Sequence, residues 1–461
     1  MIRPVAIILI SIGLCSCGTN SPTTDIDQAA IESLPEVPDT WSSVIESVGD
    51  VQVGWIEQLG DPVLVDLVKE AQINNRNLQA ASQNVSRSWA LADQAGAGLS
   101  QTVTLVGEAE EGGLINNGSS EARYRLGLRA NWELDVWGRI RAGATAAILH
   151  AQSVEADYVF SQNSLAATVA RAYFLVIESN QQVAVTQKTV DALIETNRIV
   201  HALKETGLAS SQDVALSRSD LANTKSILVA TQGSQRNALR ALEVLIGRYP
   251  SAELNIRNTL PDVPSLPPAG LPSTILERRP DIISAERAVA TAFNRVKHAK
   301  VVQMPSISLT GSIGGASSDL SNFLNPANVV WQAATNLLAP LIDGGLSKAQ
   351  VEQASAEQKQ AIAVYAQTVL DAFSEIENSL DQNVVLQDRV VNLYQATNEA
   401  NHALRIAQLQ YNEGETDLLD VLTIQRRVFS TEADLATVER ARLDEWIVLN
   451  LALGGSWHNN L

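Results

Sequence analysis

Prolines leave this chain with two very long stretches that contain none. No proline occurs between residues 63 and 249, or from residue 341 to the end of the sequence. Because proline inside a helix removes a hydrogen bond and clashes with the preceding turn, such stretches can hold very long unkinked helices. The proline-rich segment between them, residues 250–272, predicts a connector.

The two long stretches also resemble each other in sequence. Residues 207–214 match residues 414–421, an offset of 207, and the residues around Gly247 and Gly454 match at the same offset. A second match further upstream has an offset of 200. The difference between the offsets is one heptad, which a coiled coil can absorb without losing its seam. The sequence therefore predicts two structural repeats.

Within each repeat we predict four helical stretches and two strands. Asp61-Pro62 opens the first helix, with Asp as the cap and Pro at the first helical position. Apolar residues then recur every seven residues from Leu64 to Ala92, which is the spacing of a coiled coil. From Gly138 to Gly207 the pattern favours almost continuous helix, and about 70 residues would extend for about 100 Å. We therefore expect an elongated molecule.

The segment Tyr124–Asp135 alternates strictly between apolar and polar residues. Its apolar positions are Tyr124, Leu126, Leu128, Ala130, Trp132 and Leu134. Residues 306–313 repeat the alternation, and residues 102–110 and 331–341 are weaker examples. The pattern is typical of transmembrane β-strands, which turn one face to lipid and the other to a lumen. It also fits a half-buried soluble hairpin, although two hairpins at equivalent places beside long helices favour the membrane interpretation.

The small number of strands in one chain has a consequence for assembly. Four strands cannot close a barrel, because small barrels begin near eight strands. An open edge cannot lie in lipid either, since each unpaired amide there costs several kcal/mol. Several copies must therefore share one barrel, and the strand pattern alone requires two or more without choosing among them.

The N-terminus predicts export and lipid attachment. A basic start at residues 1–3 precedes an apolar run at residues 5–14, which is too short to span a bilayer as a helix. Residues 14–18, Leu-Cys-Ser-Cys-Gly, resemble a bacterial lipobox, which would place cleavage before Cys17 and lipid on Cys17. A plain secretory signal with an incidental cysteine is the alternative. Gly18, rather than Asp, after the modified cysteine indicates transport to the outer membrane.

Composition excludes several functional classes. The mature chain would keep Cys17 as its one cysteine, so neither a disulfide nor a cysteine zinc site can form within it. A net charge of −18 argues against a nucleic-acid partner. The five histidines are scattered, and no H-E-x-x-H, G-x-S-x-G or phosphate-binding loop occurs. We therefore predict neither an enzyme nor a cofactor or metal site.

Three runs of residues carry a resemblance to a known family. They are Glu-Arg-Arg-Pro-Asp-Ile at 277–282 with Ala-Glu at 285–286, Met-Pro-Ser-Ile-Ser-Leu at 304–309, and Trp-Glu-Leu-Asp-Val-Trp-Gly-Arg at 132–139. They resemble the outer-membrane factors of tripartite efflux systems, the TolC superfamily, and most closely its OprM- and NodT-like lipoprotein branch. The resemblance extends from about Trp55 to Gly455.

The resemblance implies a fold, a location and partners. The fold is mainly α with membrane β: a homotrimer in which a long α-helical barrel continues into a shared twelve-stranded transmembrane β-barrel. The protein would be anchored in outer-membrane lipid and extend into the periplasm. There it would meet a periplasmic adaptor (membrane fusion protein) that connects it to an inner-membrane pump, and substrates would leave through it passively.

The expected organisation of the chain follows from the repeats and the resemblance together. The predicted segments are a signal peptide at 1–16, a lipid-anchored and equatorial segment at 17–61, repeat 1 at 62–249 with a hairpin near 102–135, the connector at 250–272, repeat 2 at 273–455 with a hairpin near 305–341, and a tail at 456–461. A periplasmic coiled-coil adaptor or scaffold lipoprotein is the competing interpretation. It would have a single central hairpin and no duplicated lipid-facing strands.

The resemblance also implies a gate at the periplasmic end. Tyr411 and Asp420 match the family's gate positions, and Asp213 is the counterpart in repeat 1. Asp417 lies three residues before Asp420, so three copies would place a ring of carboxylates at the narrowest point. Thr416 occupies the position of a basic gate residue found in some relatives. Helix N-capping is the alternative role of Asp417 and Asp420, and the two roles can coexist.

Two turns match the family's hairpin tips that contact the adaptor. They contain Gly207 and Leu208 in repeat 1 and Gly414 in repeat 2. Glycine at these positions also has a purely conformational explanation, because a helix C-cap favours a residue with positive φ. The adaptor-contact role is implied by the resemblance alone.

Overall fold

The computed structural model describes residues 32–34, 37–43, 53–113, 120–322 and 325–457. The signal peptide and Cys17 lie outside the described residues, so the lipid attachment stays a prediction. The helices are α1 (Trp55–Gln58), α2 (Pro62–Asn74), α3 (Arg76–Ala97), α4 (Arg139–Glu205), α5 (Ser211–Leu245), α6 (Ile275–Arg278), α7 (Pro280–Val301), α8 (Leu346–Glu413) and α9 (Leu418–Ala452). The strands are β1 (Thr102–Gly113), β2 (Ser120–Leu134), β3 (Ser306–Ser317) and β4 (Val329–Leu338).

The order of these elements confirms the predicted duplication. The series α2-α3-β1-β2-α4-α5 is followed, after the connector, by α6-α7-β3-β4-α8-α9. Strand β3 is longer than the alternation at 306–313 predicted, and β4 ends before residue 341. Pro340 follows closely and cannot donate to a strand ladder, which explains the early end of β4.

The first heptad series continues across an interruption between two helices. Asn75 separates α2 from α3 with an extended conformation (φ −64°, ψ 121°), and its side-chain oxygen accepts a hydrogen bond from the Leu78 N–H (3.0 Å). Its amide donates to the carbonyl oxygen of Leu245 (2.9 Å). The heptad spacing survives the break because Leu64, Leu78 and Ala92 are all buried.

Helices α4 and α8 run the whole length of the helical part. They contain 67 and 68 residues, which correspond to about 100 Å each. The ends of α4 and α8 that lie next to the sheet pack with α3 and α7. The opposite ends of the same two helices pack with α5 and α9. The helix order is therefore α3-α4-α7-α8 next to the sheet and α5-α4-α9-α8 further away. This confirms the elongated shape that the sequence predicted.

The largest hydrophobic cluster lies where the helices next to the sheet meet the helices further away. It joins α1, α2, α4, α5 and α9 through fully buried residues: Trp55, Leu64, Val68, Tyr173, Phe174, Ile177, Leu242 and Trp446. A second cluster does the same for repeat 2 around Ile275, Tyr365, Val369 and Leu449. These clusters pack the middle of the molecule.

Candidate functional site

The four strands form one antiparallel sheet in the order β1-β2-β3-β4. The pairing register places Leu105 opposite Leu128, Leu128 opposite Ile313, and Ile313 opposite Trp331. These four apolar residues, one from each strand, therefore lie on one face. Leu105 and Trp331 on this face are 71% and 77% exposed in the single chain. A face this apolar and this exposed fits contact with lipid.

The opposite face is mainly polar. Gly127 and Gly314 pair directly on this face. A Cβ at Gly127 would lie 2.6 Å from the Ile313 oxygen, and one at Gly314 would lie 2.4 Å from the Gly127 Cα. Side-chain directions converge on the inside of a curved sheet, so this crowding places the polar face on the inside.

The junction from sheet to helix explains one of the motifs quoted above. After β2, the Asp135 carboxylate accepts hydrogen bonds from the backbone N–H groups of Ile140 (2.8 Å) and Arg141 (2.9 Å) and so caps α4. Arg139 forms a two-pronged ion pair with Glu133 (2.8 Å). Trp137 donates from its indole nitrogen to the Pro305 oxygen (2.7 Å), which ties the two hairpins together at their base.

The Glu-Arg-Arg-Pro-Asp run also acquires a structural role. Arg279 lies at the break between α6 and α7 and is 3% exposed. Its guanidinium donates to Asp281 (2.7 Å), to Glu375 on α8 (2.8 Å) and to the Ala452 carbonyl oxygen at the end of α9 (3.0 Å). Burial lowers the pKa of Arg279, but the hydrogen bonds and negative charges of Asp281 and Glu375 raise this pKa overall. Arg279 occupies the place in repeat 2 that Asn75 has in repeat 1.

The two predicted hairpin tips have the same geometry. Gly207 and Gly414 both have positive φ (79° and 78°). The N–H of Leu208 donates to the Leu203 oxygen (2.8 Å), and the N–H of Glu415 donates to the Gln410 oxygen (2.9 Å). Both turns are therefore Schellman motifs, and the glycine is required by its conformation. Leu208 is 78% exposed at the first tip.

The acidic gate candidates cap the helices that follow these turns. In repeat 1, the N–H of Ser210 donates to Asp213 (2.8 Å) and the N–H of Asp213 donates to Ser210 (3.1 Å), forming a capping box. In repeat 2, Asp417 accepts from the N–H of Asp420 (2.9 Å). The Asp420 carboxylate instead accepts from the Thr416 hydroxyl (2.8 Å). Capping is thus a real role of Asp417.

The structure brings some of the predicted gate residues together. Tyr411 packs against the tip cluster formed by Leu193, Val200, Val214, Leu418 and Leu422. Burial raises the pKa of Tyr411, and the negative charge of Asp213 in the other repeat acts in the same direction. Asp417 and Asp420 lie exposed at the second tip.

A polar seam between α4 and α9 was missed by the sequence analysis. Arg440 on α9 contacts Glu178 on α4 (2.5 Å) and also Asp444, and Arg171 lies 3.8 Å from Asp444. Burial raises the pKa of Asp444 to about 6, even though Arg440 and Arg171 lower it. The spacing of Arg440 and Asp444 along α9 was visible in the sequence. Their partners on α4 lie more than 250 residues away in the chain, as the Glu178–Arg440 separation of 262 shows.

Further along the seam toward the tips, the ion pairs give way to neutral hydrogen bonds. Lys188 pairs with Glu432 (2.8 Å), and nearer the tips the Gln425 amide donates to Thr196 at 3.3 Å. The charged anchor therefore lies near the middle of the molecule and the weaker contacts lie toward the gate residues.

Among the described residues, no helix combines the length and apolar character needed to cross a membrane.

Comparison with known proteins gives consistent matches along the chain. A family model described as outer membrane efflux protein matches residues 67–248 and 271–455. The solvent efflux pump outer membrane protein SrpC of Pseudomonas putida is 30% identical over 414 residues, 86% of this chain and 86% of that protein. The cation efflux system protein CusC of Escherichia coli O6:H1 is 29% identical over 408 residues, 88% of each.

A solved structure agrees with the architecture as well. The MtrE outer membrane channel of Neisseria gonorrhoeae, in its open state, superimposes with a TM-score of 0.82 at 27% sequence identity. The match covers 92% of this chain and 96% of that chain.

Proposed function

Because the chain belongs to the outer membrane efflux protein family and is an outer-membrane efflux channel rather than an enzyme, we propose that three copies share one β-barrel and one periplasmic helical barrel. Together they would give substrates a passive exit from an inner-membrane pump and its periplasmic adaptor. The family match favours this channel over the adaptor or scaffold lipoprotein considered above.

The observation that carries the proposal is the exposed apolar face of a sheet with two open edges. Within the described ranges, β1 and β4 each pair with a strand on one side only. In lipid these edges need a sister sheet, because unpaired backbone groups there cost several kcal/mol each. Two copies would give eight strands, and the interior of such a barrel is filled by side chains or holds one small ligand. Three copies of four strands would give a wider, twelve-stranded barrel.

We propose that Cys17 carries the lipid anchor, and the chain length permits it. Trp41 is held at the middle of the molecule, where its indole nitrogen donates to the Ala269 oxygen (3.2 Å) and its ring meets Phe373 edge-on. Phe373 lies 27 residues after the start of α8 at Leu346, or about 40 Å along the helix. The 24 residues from Cys17 to Trp41 can extend for about 80 Å, more than that distance.

The acidic residues at the second tip are proposed to form the gate. Three copies would bring Asp417 and Asp420 into a ring of carboxylates, with Tyr411 and Asp213 beside it. Thr416 replaces a basic gate residue, and its bond to Asp420 would constrain the turn within one chain. The tips with Gly207, Leu208 and Gly414 are proposed to contact the adaptor, and exposed Leu208 supplies an apolar contact.

The first test asks whether the purified protein is a channel. We expect a detergent-requiring trimer that conducts in planar bilayers. Asp417→Ala with Asp420→Ala removes both the cap and the Thr416 bond, so it should raise the resting conductance and the vancomycin sensitivity of cells. A soluble monomer without conductance would refute the channel.

A second pair of variants separates charge from capping. Asn caps helices about as well as Asp, so Asp417→Asn with Asp420→Asn keeps the cap and removes the charge. We expect this pair to lose cation preference while the conductance rises less than in the alanine pair. If the alanine pair changed neither conductance nor vancomycin sensitivity, the gate assignment would be wrong.

A further inference from the structure

The concave face of the sheet carries a compact charge cluster that the gate does not involve. Glu108 on β1 lies between two arginines of β2: Arg125 at 3.5 Å and Arg129 at 3.7 Å. All three side chains are partly exposed, and the two arginines remain about half exposed. One carboxylate is therefore shared by two guanidinium groups, and each cluster has an excess of one positive charge.

The glycine pair described above makes this arrangement possible. Gly127 lies between Arg125 and Arg129 on the same face of β2, and Gly314 faces it from β3. Because neither glycine has a side chain, a notch opens between the two arginines, and both can turn toward Glu108 on the neighbouring strand. The register places Arg125 directly opposite Glu108, whereas Arg129 lies opposite Thr104 and reaches Glu108 along the strand direction (3.7 Å).

Two other acidic residues on the described part of this face each lie beside an arginine. Glu110 lies directly opposite Arg123, and Glu133 is paired with Arg139. The concave positions of β3 and β4 that face the middle of the sheet are uncharged: Ser308, Thr310, Ser312, Gly314, Gln332, Ala334 and Asn336.

We propose that the cluster of Glu108, Arg125 and Arg129 forms an anion-favouring ring inside the β-barrel. This inference rests on the trimeric barrel proposed above, because one sheet lines only a third of the lumen. Three clusters give the ring an excess of three positive charges in a protein whose net charge is −18 per chain. Rings of arginine favour anions in pores. The exit would therefore prefer anionic solutes, whereas the carboxylates proposed at the gate favour cations.

The test measures ion selectivity in planar bilayers. All channels carry Asp417→Ala and Asp420→Ala, which removes the gate carboxylates that would otherwise mask the barrel. At 0.1 M KCl, where charges act over about 10 Å, Arg129→Gln and Arg125→Gln should each lower the chloride-to-potassium permeability ratio by about twofold or more. Glu108→Gln should raise the ratio by a similar factor. At 1 M KCl the differences should disappear, since screening then acts within about 3 Å.

A matched control separates charge from altered packing. The double variant Glu108→Gln with Arg125→Gln removes one charge of each sign, so its permeability ratio should equal that of the parent channel. Unchanged ratios in the single variants, with normal conductance, would overturn the inference and leave the channel intact. A permeability ratio that changed with the number of substitutions, whatever their charge, would also overturn the inference. If the parent channel gave no conductance, the proposed barrel itself would fail.

Discussion

Asp444 shows how a single residue responds to its place between the repeats. Its carboxylate lies buried against Arg440, Arg171 and Glu178. Burial raises its pKa from the ordinary value of 3.8 to about 6, and the nearby Glu178 charge acts in the same direction. The two arginines do not fully offset these effects. Asp444 is therefore a carboxylate whose protonation state changes close to neutral pH.

This pKa predicts a specific dependence of stability on pH. The folded state binds the proton of Asp444 more tightly than the unfolded state does, so lowering the pH from 7 to about 4 should stabilise the fold at this residue. A shift of about two units corresponds to up to about 3 kcal/mol. Thermal unfolding of the purified protein at several pH values, compared with Asp444→Asn, measures the contribution.

The comparison between the two proteins isolates Asp444 from other titrating groups. Wild type should gain stability relative to Asp444→Asn as the pH falls through 6. Glu253→Gln, a solvent-exposed change outside the seam, should keep a constant difference from wild type. A wild-type curve parallel to that of Asp444→Asn would show that Asp444 does not have a raised pKa.

At the scale of single elements, glycines determine how two strands can pair. Gly127 and Gly314 lie opposite each other, and a Cβ at either would be within 3.0 Å of the other strand's backbone. By contrast, a Cβ at Gly311, on the outer face of the same strand β3, would come no closer than 3.9 Å to the Gln332 oxygen. The crowding is therefore local to one pair.

Valine at the crowded pair should prevent normal assembly of the sheet. We expect Gly127→Val or Gly314→Val to force β2 and β3 apart, which overpacking of this kind penalises by about 1–3 kcal/mol or more. The heat-resistant oligomer on SDS gels should be lost or weakened. Gly311→Ala is the matched control and should keep the oligomer, and equal behaviour of the three variants would contradict the close approach.

The breaks at Asn75 and Arg279 are a second feature at this scale. Each of these residues lies between two packed helices. Its side chain donates a hydrogen bond to a carbonyl oxygen at the end of the repeat's final helix, that of Leu245 or Ala452. The two residues differ in chemistry but occupy equivalent places. Their common role follows from the duplication, and the charged partners of Arg279 make the repeat 2 junction the more polar of the two.

At the scale of the whole molecule, the open sheet edges determine how copies assemble. The sequence has cysteines only at positions 15 and 17. Cys15 would leave with the signal peptide and the proposed lipid would block the Cys17 thiol, so introduced cysteines report on neighbours. Each variant has one cysteine in place of Thr104 on β1 and one in place of Gln332, Ala334 or Asn336 on β4. Under oxidation these cysteines should crosslink neighbouring copies. We expect dimers and closed trimers on SDS gels, because a ring of three closes on itself.

The control pair lies inside one sheet. Asn131 and Thr310 face each other on β2 and β3, so cysteines there should crosslink within a chain and leave the monomer size unchanged. A ladder that stops at the dimer would favour an eight-stranded barrel. A ladder that continues beyond the trimer would indicate an open assembly, and either result would contradict the proposed trimer.

Much of the architecture could be read from local patterns in the sequence. The absence of proline between residues 63 and 249 permits the long helices, strict alternation after Tyr124 specifies two-faced strands, and matching residues near Gly207 and Gly414 reveal the repeat. Each of these is a property of neighbouring residues, since helix and strand periods act over a few positions. The turn glycines were predictable for the same reason.

What the tertiary structure decided are the contacts between residues far apart in the chain. Only the folded chain reveals that Glu108 is shared by Arg125 and Arg129, that Arg279 joins α7, α8 and α9, and that Asp444 is buried beside charges on α4. These depend on strand register and on which helix faces meet. Local periodicity determines that a helix or strand forms, but long-range packing determines which side chains it brings together and how strongly their charges interact.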